Sequence, residues 1–150
     1  MNSSLLLTYP ALPAFTLALV ALFTKTTLTS VLQVVSRVRA GVYPIPEDAR
    51  LMRGRAADAE ADFVRRCANV WRNDTENLPL FFALALAYAL LGASAESATP
   101  LFGAYVLLRY VHTAVFLLGL QPWRTVIYLA GLAVCWMIAW RTLLLAGLLG

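Results

Sequence analysis

Four long apolar segments constrain this chain more than any other feature of its sequence. They cover about residues 11–35, 72–91, 99–118 and 125–148, which leaves little chain for a separate soluble domain. Of the 150 residues, 61% are hydrophobic and the mean hydropathy is +0.72, whereas apolar residues make up about half of a soluble domain. A helix needs about 20 mostly apolar residues to cross a bilayer. The sequence therefore predicts a single all-α domain over residues 1–150, folded as an integral membrane four-helix bundle.

The second apolar segment reaches this length only by including a charged cluster. Its uncharged part, 78–91, has 14 residues, and extension back to Arg72 gives 20. Ionisable groups at membrane depth are costly and usually functional, so residues 72–76 are the first candidates for a site. A local interpretation stays open, because Asn73 and Glu76 match a capping box at the start of a helix. That interpretation gives Arg72 no role.

The distribution of basic residues predicts the orientation in the membrane. Eight of the twelve Lys and Arg residues lie between residues 36 and 72, and loops rich in these residues stay cytoplasmic. We therefore expect the first loop, residues 36–71 between the first two apolar segments, to be cytoplasmic together with the site beside it. Both termini should then lie on the opposite side. The sequence pI of about 9.4 could indicate nucleic-acid binding. Arginines that border membrane helices are better explained by orientation and anionic headgroups, so we predict no nucleic-acid partner.

Polar residues recur in the third and fourth segments. Arg109 and His112 are three residues apart, which places them on one face of a helix. A single histidine in an apolar helix is more often structural than a ligand, but the nearby arginine favours a polar cavity. Arg124, Thr125 and Tyr128 begin the fourth segment, where an interfacial anchor of basic and aromatic residues is the simpler interpretation.

The first apolar segment contains one charged residue, and the whole chain contains two cysteines. Lys25 lies at membrane depth, and the sequence leaves open whether it pairs with Glu76 or Asp74 or extends to the interface. Cys67 and Cys135 are predicted at different depths, too far apart for a disulfide. Neither belongs to a metal-binding spacing, so we predict no metal site.

Together these residues predict a polar cavity at the cytoplasmic ends of the helices. Its expected lining is Arg72, Asn73, Glu76, Arg109, His112, Arg124, Thr125 and Tyr128, with Arg37 and Arg39 at the same level. Arginines bind carboxylates in bidentate geometry, and Glu76 suits an amine. Glutathione, with two carboxylates, one ammonium and a thiol, fits this inventory. An anionic lipid headgroup fits less completely, because it leaves Glu76 without a role.

At these residues the chain resembles a known family, the membrane-associated proteins in eicosanoid and glutathione metabolism. The resemblance covers nearly the whole chain. It rests on the following motifs: Arg37-Val38-Arg39, Pro46-Glu47-Asp48-Ala49, Arg66-Cys67, Arg72-Asn73-Asp74 with Glu76, Arg109 with His112, and Arg124 with Tyr128. It implies a homotrimer of four-helix subunits that binds glutathione between neighbouring subunits near the cytoplasmic face.

The resemblance also implies roles for individual residues. The glutathione site would comprise Arg37, Arg72, Asn73, Glu76, His112, Arg124 and Tyr128. Thr125 occupies a serine position whose hydroxyl is proposed to hold the thiolate, and Arg124 and Asp48 match proposed catalytic residues. Asn69 and Phe116 replace an arginine and a tyrosine, which implies weaker glutathione binding or a changed substrate preference.

The expected function is a membrane-bound glutathione transferase. Such an enzyme activates the glutathione thiolate for attack on lipophilic electrophiles, and peroxide reduction and isomerisation are related reactions of the same thiolate. The alternative is a non-enzymatic membrane protein that binds anionic lipid in an arginine-lined cavity. An inactive family member is a third interpretation, because of Asn69 and Phe116.

Overall fold

Four long helices, a short N-terminal helix and a small folded loop make up the part of the chain that the structure describes. The computed structural model describes residues 2–149. The elements in chain order are α1 (Asn2–Thr8), α2 (Leu12–Ala40), β1 (Val42–Tyr43), α3 (Pro46–Leu51), β2 (Arg55–Ala56), α4 (Asp62–Leu90), α5 (Ala95–Leu118) and α6 (Trp123–Leu145). The predicted helical character is confirmed, and the structure adds the short helices α1 and α3 and the β1–β2 pairing.

Three of the helices, α2, α5 and α6, are long and apolar enough to cross a membrane. The fourth long helix, α4, contains the charged cluster. It has 29 residues, a length of about 43 Å at 1.5 Å per residue. This exceeds the hydrocarbon thickness of a bilayer, which is about 30 Å.

The start of α4 differs from the sequence prediction. The helix begins at Asp62 rather than at residue 72, and an acidic residue in the first turn is favourable there because it complements the helix dipole. Val64, Cys67 and Val70 are buried at three-residue intervals, so this additional stretch packs one face against the rest of the protein. Asn73 and Glu76 therefore lie in the helix interior, and the capping-box interpretation is wrong.

An aromatic core holds the long helices together. The rings of Phe81 on α4 and Tyr105 on α5 stack with centroids 3.9 Å apart, and Phe102 meets Phe81 edge to face at 5.9 Å. Leu22 of α2 and Ile138 of α6 are completely buried in the same core. Many large apolar side chains on the outer faces are exposed, and these faces suit contact with lipid.

The first loop is folded rather than irregular. Its strands β1 and β2 pair in parallel, with Tyr43 opposite Ala56, and α3 provides the crossover between them. A Cβ atom at Gly54 would lie 2.5 Å from a ring carbon of Tyr43 and 2.7 Å from the carbonyl oxygen of Gly41, so only glycine fits. An ion pair between Arg37 of α2 and Glu60 ties the loop to the helix.

Candidate functional site

A polar cavity of about 480 Å³ lies between α4, α5 and α6. Its lining residues are Asn69, Arg72, Asn73, Glu76, His112, Phe116, Arg124, Thr125 and Tyr128. Helical spacing explains the grouping, because residues four apart lie on one helix face. This relation links Arg72 with Glu76 on α4 and Arg124 with Tyr128 on α6. The cavity therefore combines two arginines, one carboxylate and several neutral polar groups.

The structure brings together most of the residues that the sequence singled out. Of the nine predicted ligand-binding residues, seven line the cavity: Arg72, Asn73, Glu76, His112, Arg124, Thr125 and Tyr128. Arg37 lies outside it, with its Nε 2.6 Å from Glu60 Oε1. Asp48 lies in α3 of the first loop and is half-buried. Arg109 is buried next to the cavity in a separate group of charges.

Aromatic and amide groups hold the side chain of Arg124. Its guanidinium carbon lies 4.6 Å from the ring centroid of Phe116, a cation–π contact. With its amide oxygen turned towards Arg124, Gln121 accepts hydrogen bonds from Nη2 at 2.7 Å and Nε at 3.1 Å. His112 meets Phe116 edge to face at 5.8 Å. Phe116 thus supplies a ring platform for Arg124 although it has no hydroxyl.

Three buried charges form what we call the ion cluster: Lys25, Asp74 and Arg109. Lys25 Nζ lies 2.5 Å from Asp74 Oδ2, and Arg109 Nη2 lies 2.7 Å from Asp74 Oδ1. The three side chains are at most 4% exposed. The sequence left the partner of Lys25 open, and the structure identifies it as Asp74. With two cations and one anion, the cluster carries a formal charge of +1.

The ion cluster contacts the lining of the polar cavity through Asn73. Arg109 Nη2 lies 2.6 Å from Asn73 Oδ1, so one guanidinium nitrogen serves both Asn73 and Asp74. The sequence identified Arg109 and Asn73 as site residues. It did not predict that Asp74 joins the two cations. The available signal was Lys25, an ammonium at membrane depth that requires a buried anion.

An apolar groove of about 440 Å³ lies next to the polar cavity. Its lining is Asn77, Leu80, Ala83, Leu84, Tyr105, Arg109, Tyr128, Gly131, Leu132, Cys135, Trp136 and Ala139. Tyr128 lines both the groove and the polar cavity. Sequence reasoning missed this groove. Its signal was the four-residue spacing of Gly131, Cys135 and Ala139, which leaves a strip of small side chains on α6.

Both cysteines are free thiols in the structure. Cys67 is completely buried in the part of α4 that precedes the charged cluster. Burial raises the pKa of the Cys67 thiol, so this side chain stays protonated at neutral pH. Cys135 lines the apolar groove. Neither thiol lies among the residues that line the polar cavity.

Comparisons with known proteins match most of the chain to one family and to several named relatives. Residues 15–144 match the MAPEG family. Prostaglandin E synthase of Macaca fascicularis is 34% identical over 126 residues, which cover 83% of each chain. The Homo sapiens prostaglandin E synthase is 32% identical over the same length and coverage, and that of Mus musculus is 35% identical over 74% of this chain and 72% of its own. The chain therefore is a membrane protein and belongs to the MAPEG family, whose members are the membrane-associated proteins in eicosanoid and glutathione metabolism.

Proposed function

We propose that this protein is a glutathione-dependent membrane enzyme that activates the thiolate of glutathione for attack on lipophilic electrophiles. The observation that carries the proposal is that the polar cavity and the apolar groove are neighbours. A charged cavity suited to a small peptide and an apolar groove suited to a lipid-like molecule lie side by side, and Tyr128 belongs to both.

The charges of the polar cavity fit glutathione. Arg72 and Arg124 supply two guanidinium groups for two carboxylates, and Glu76 supplies the counter-charge for the ammonium. These three side chains leave a net charge of +1 in the cavity, and the adjoining ion cluster adds another +1. Excess positive charge favours a bound anion, and it favours the thiolate form over the thiol.

Thiolate activation is the chemical task of the site. The thiolate, and not the thiol, is the nucleophile. A tenfold gain in thiolate at constant pH requires about 1.4 kcal/mol of preferential stabilisation. Arg124, held by Phe116 and Gln121, and the hydroxyl of Thr125 are the groups we assign to this stabilisation. A hydrogen bond to a charged acceptor contributes about 1.5–3 kcal/mol, which is sufficient.

The apolar groove supports a lipophilic second substrate. It is lined mainly by aliphatic and aromatic side chains of α4 and α6, so an apolar molecule could enter from the bilayer and meet the thiolate near Tyr128. In conjugation, the glutathione sulfur forms a bond to an electrophilic carbon and the leaving group departs with its electron pair. The related prostaglandin E synthases make isomerisation of an endoperoxide a second reaction to test.

We further propose that the working molecule is a homotrimer in which all four long helices cross the membrane as one domain. Arg37 and Asp48 lie outside the polar cavity of their own chain. Arg37 lies near the loop end of α2, and Asp48 lies in α3. From these positions both side chains could reach the cavity of a neighbouring subunit. In this assembly Arg37 would bind glutathione and Asp48 would take part in catalysis. The first loop faces the cytoplasm, with both termini opposite.

The test combines binding and turnover in purified protein. We expect saturable thermal stabilisation by glutathione, and we expect it to be lost in Arg72→Ala. Turnover is then screened with an aryl halide, a lipid hydroperoxide and a prostaglandin endoperoxide, which separates conjugation, reduction and isomerisation. Stabilisation by anionic lipid vesicles but not by glutathione would refute the enzyme and favour a lipid-binding protein instead.

A further inference from the structure

We infer that Asn73 presents its amide N–H groups to the polar cavity because Arg109 holds its carbonyl oxygen. Asn73 would then select a carboxylate or carbonyl oxygen on the ligand, and Arg109 would be a positioning residue that acts through Asn73. The inference rests on the proposed function, since it concerns which group of glutathione each side chain recognises.

The orientation of the Asn73 amide follows from its contact with Arg109. Arg109 Nη2 lies 2.6 Å from Asn73 Oδ1. A guanidinium has donors and no acceptor, so only the oxygen of an amide can face it. The Asn73 side chain is half-buried and lines the polar cavity. With its oxygen engaged, the part of the amide left for the cavity is the NH₂ group.

The ion cluster fixes Arg109 in this position. Asp74 Oδ1 accepts from the same Arg109 nitrogen at 2.7 Å, and Asp74 Oδ2 pairs with Lys25. Arg109 is only 3% exposed, so it cannot turn towards water. Its side chain lines the apolar groove and not the polar cavity. Arg109 therefore reaches the ligand site through Asn73.

This arrangement divides the recognition of glutathione between two residues of α4. An amide that presented its oxygen would accept a hydrogen bond from the ligand ammonium, in competition with Glu76. An amide that presents NH₂ instead binds acceptors and leaves the ammonium to Glu76. The direction of one amide thus determines which end of a zwitterionic ligand lies beside Asn73.

The decisive variant is Asn73→Asp, which keeps the shape of the side chain. One carboxylate oxygen can remain on Arg109, while the other replaces the NH₂ group in the cavity. The added negative charge offsets the +1 of the ion cluster, so we expect the melting temperature without ligand to hold or rise. We expect glutathione affinity, measured by calorimetry, to fall at least tenfold. Unchanged or tighter binding would show that the amide oxygen faces the ligand and would overturn the inference.

A double-mutant cycle tests whether Arg109 acts through Asn73. Arg109→Met leaves the ion pair of Lys25 and Asp74 intact, and we expect it to weaken glutathione binding about as much as Asn73→Ala does. The double variant should lose no more glutathione affinity than Asn73→Ala alone, because the effects of substitutions at coupled residues are not additive. Additive losses would mean that Arg109 contacts the ligand itself or acts by a general effect on the fold, and would overturn its positioning role.

Lys25→Met is the matched control. It also removes one cation from Asp74 and lowers the charge of the ion cluster by the same amount, but Lys25 does not contact Asn73. Glutathione affinity should therefore fall several-fold less in Lys25→Met than in Arg109→Met. An equal loss in Lys25→Met and Arg109→Met would overturn the specific role of Arg109. The wild-type titration separates the two proposals. A wild type that does not bind glutathione refutes the proposed function, whereas a binding wild type with an equally binding Asn73→Asp refutes only this inference.

Discussion

At the scale of single residues, Asp74 is the point on which the buried polar structure depends. Its two oxygens pair with cations from two different helices, Lys25 of α2 and Arg109 of α5. Removing one partner of a buried ion pair leaves an uncompensated charge, which is far more costly than the pair is stabilising. Asp74 thus connects three of the four long helices electrostatically.

Asp74→Ala should be severely destabilising, because it leaves two buried cations without an anion. We expect a loss of about 3–5 kcal/mol in the free energy of unfolding, measured by denaturation in detergent micelles. In Lys25→Met the carboxylate keeps Arg109 and the pair becomes neutral, so this variant should lose much less. Equal losses in both variants would contradict the central role of Asp74.

The hydroxyl of Thr125 can be tested without changing the volume of the side chain. Thr125→Val should lower turnover about 10–100-fold, because it removes the proposed hydrogen bond to the thiolate, which is worth about 1.5–3 kcal/mol. Glutathione affinity should change much less. Thr125→Ser keeps the hydroxyl and serves as the control, with turnover near that of the wild type. Equal turnover in the valine and serine variants would remove Thr125 from the mechanism.

Sequence reasoning predicted the types of the site residues better than their partners. Charged residues within or beside apolar segments stand out because charges are rare in membrane helices, so the sequence identifies Arg72, Glu76 and Arg109. Their pairing depends on the rotation of each helix about its axis. Spacing along one helix does not contain that information, so Lys25 had two possible anions until the packing of α2 on α4 selected Asp74.

At the scale of elements, the first loop shows how short structures escape sequence patterns. Each strand has two residues, too few for alternation of polar and apolar side chains to be visible. The pairing depends instead on the buried ring of Tyr43 and on the space that Gly54 leaves beside it. α4 was predicted in type but not in extent, because its first ten residues are too polar to resemble a membrane segment.

Gly54→Ala should unfold the loop locally. The new Cβ atom would meet the backbone oxygen of Gly41 at 2.7 Å, so the two strands must separate. We expect faster tryptic cleavage at the arginines of the loop and little change in the melting of the long helices. Gly103→Ala is the control, because a Cβ atom at this position has nothing within 4 Å. Trypsin should cleave this variant at the wild-type rate. An intact loop in Gly54→Ala would contradict the assigned pairing.

At the scale of the whole molecule, the sequence predicted one of the two spaces. Charged residues identified the polar cavity, because each is individually improbable within a bilayer. The apolar groove was not predicted, since its leucines, alanines and aromatics are the ordinary composition of membrane helices. Its existence depends on gaps between α4 and α6, and gaps are a property of packing rather than of residue type.

The proposed orientation predicts which loops meet the cytoplasm. Glu47→Cys, in α3, and Glu96→Cys, in the first turn of α5, both place a thiol at an exposed position. A membrane-impermeant maleimide should label Glu47→Cys only from the cytoplasmic side and Glu96→Cys only from the opposite side, in vesicles of known orientation. The unchanged chain measures background labelling of Cys67 and Cys135. The reverse pattern would contradict the proposed topology.

The length of α4 has a consequence for the kinetics of the site. Residues 72–76 lie more than two turns from either end of the helix. Helix ends have unpaired amides and open readily, whereas interior amides exchange with solvent only after a larger opening. Deuterium should therefore enter residues 72–76 more slowly than the first turn after Asp62. Ligands would then exchange by side-chain rotation or by movement of neighbouring elements, while the backbone hydrogen bonds of residues 72–76 stay intact.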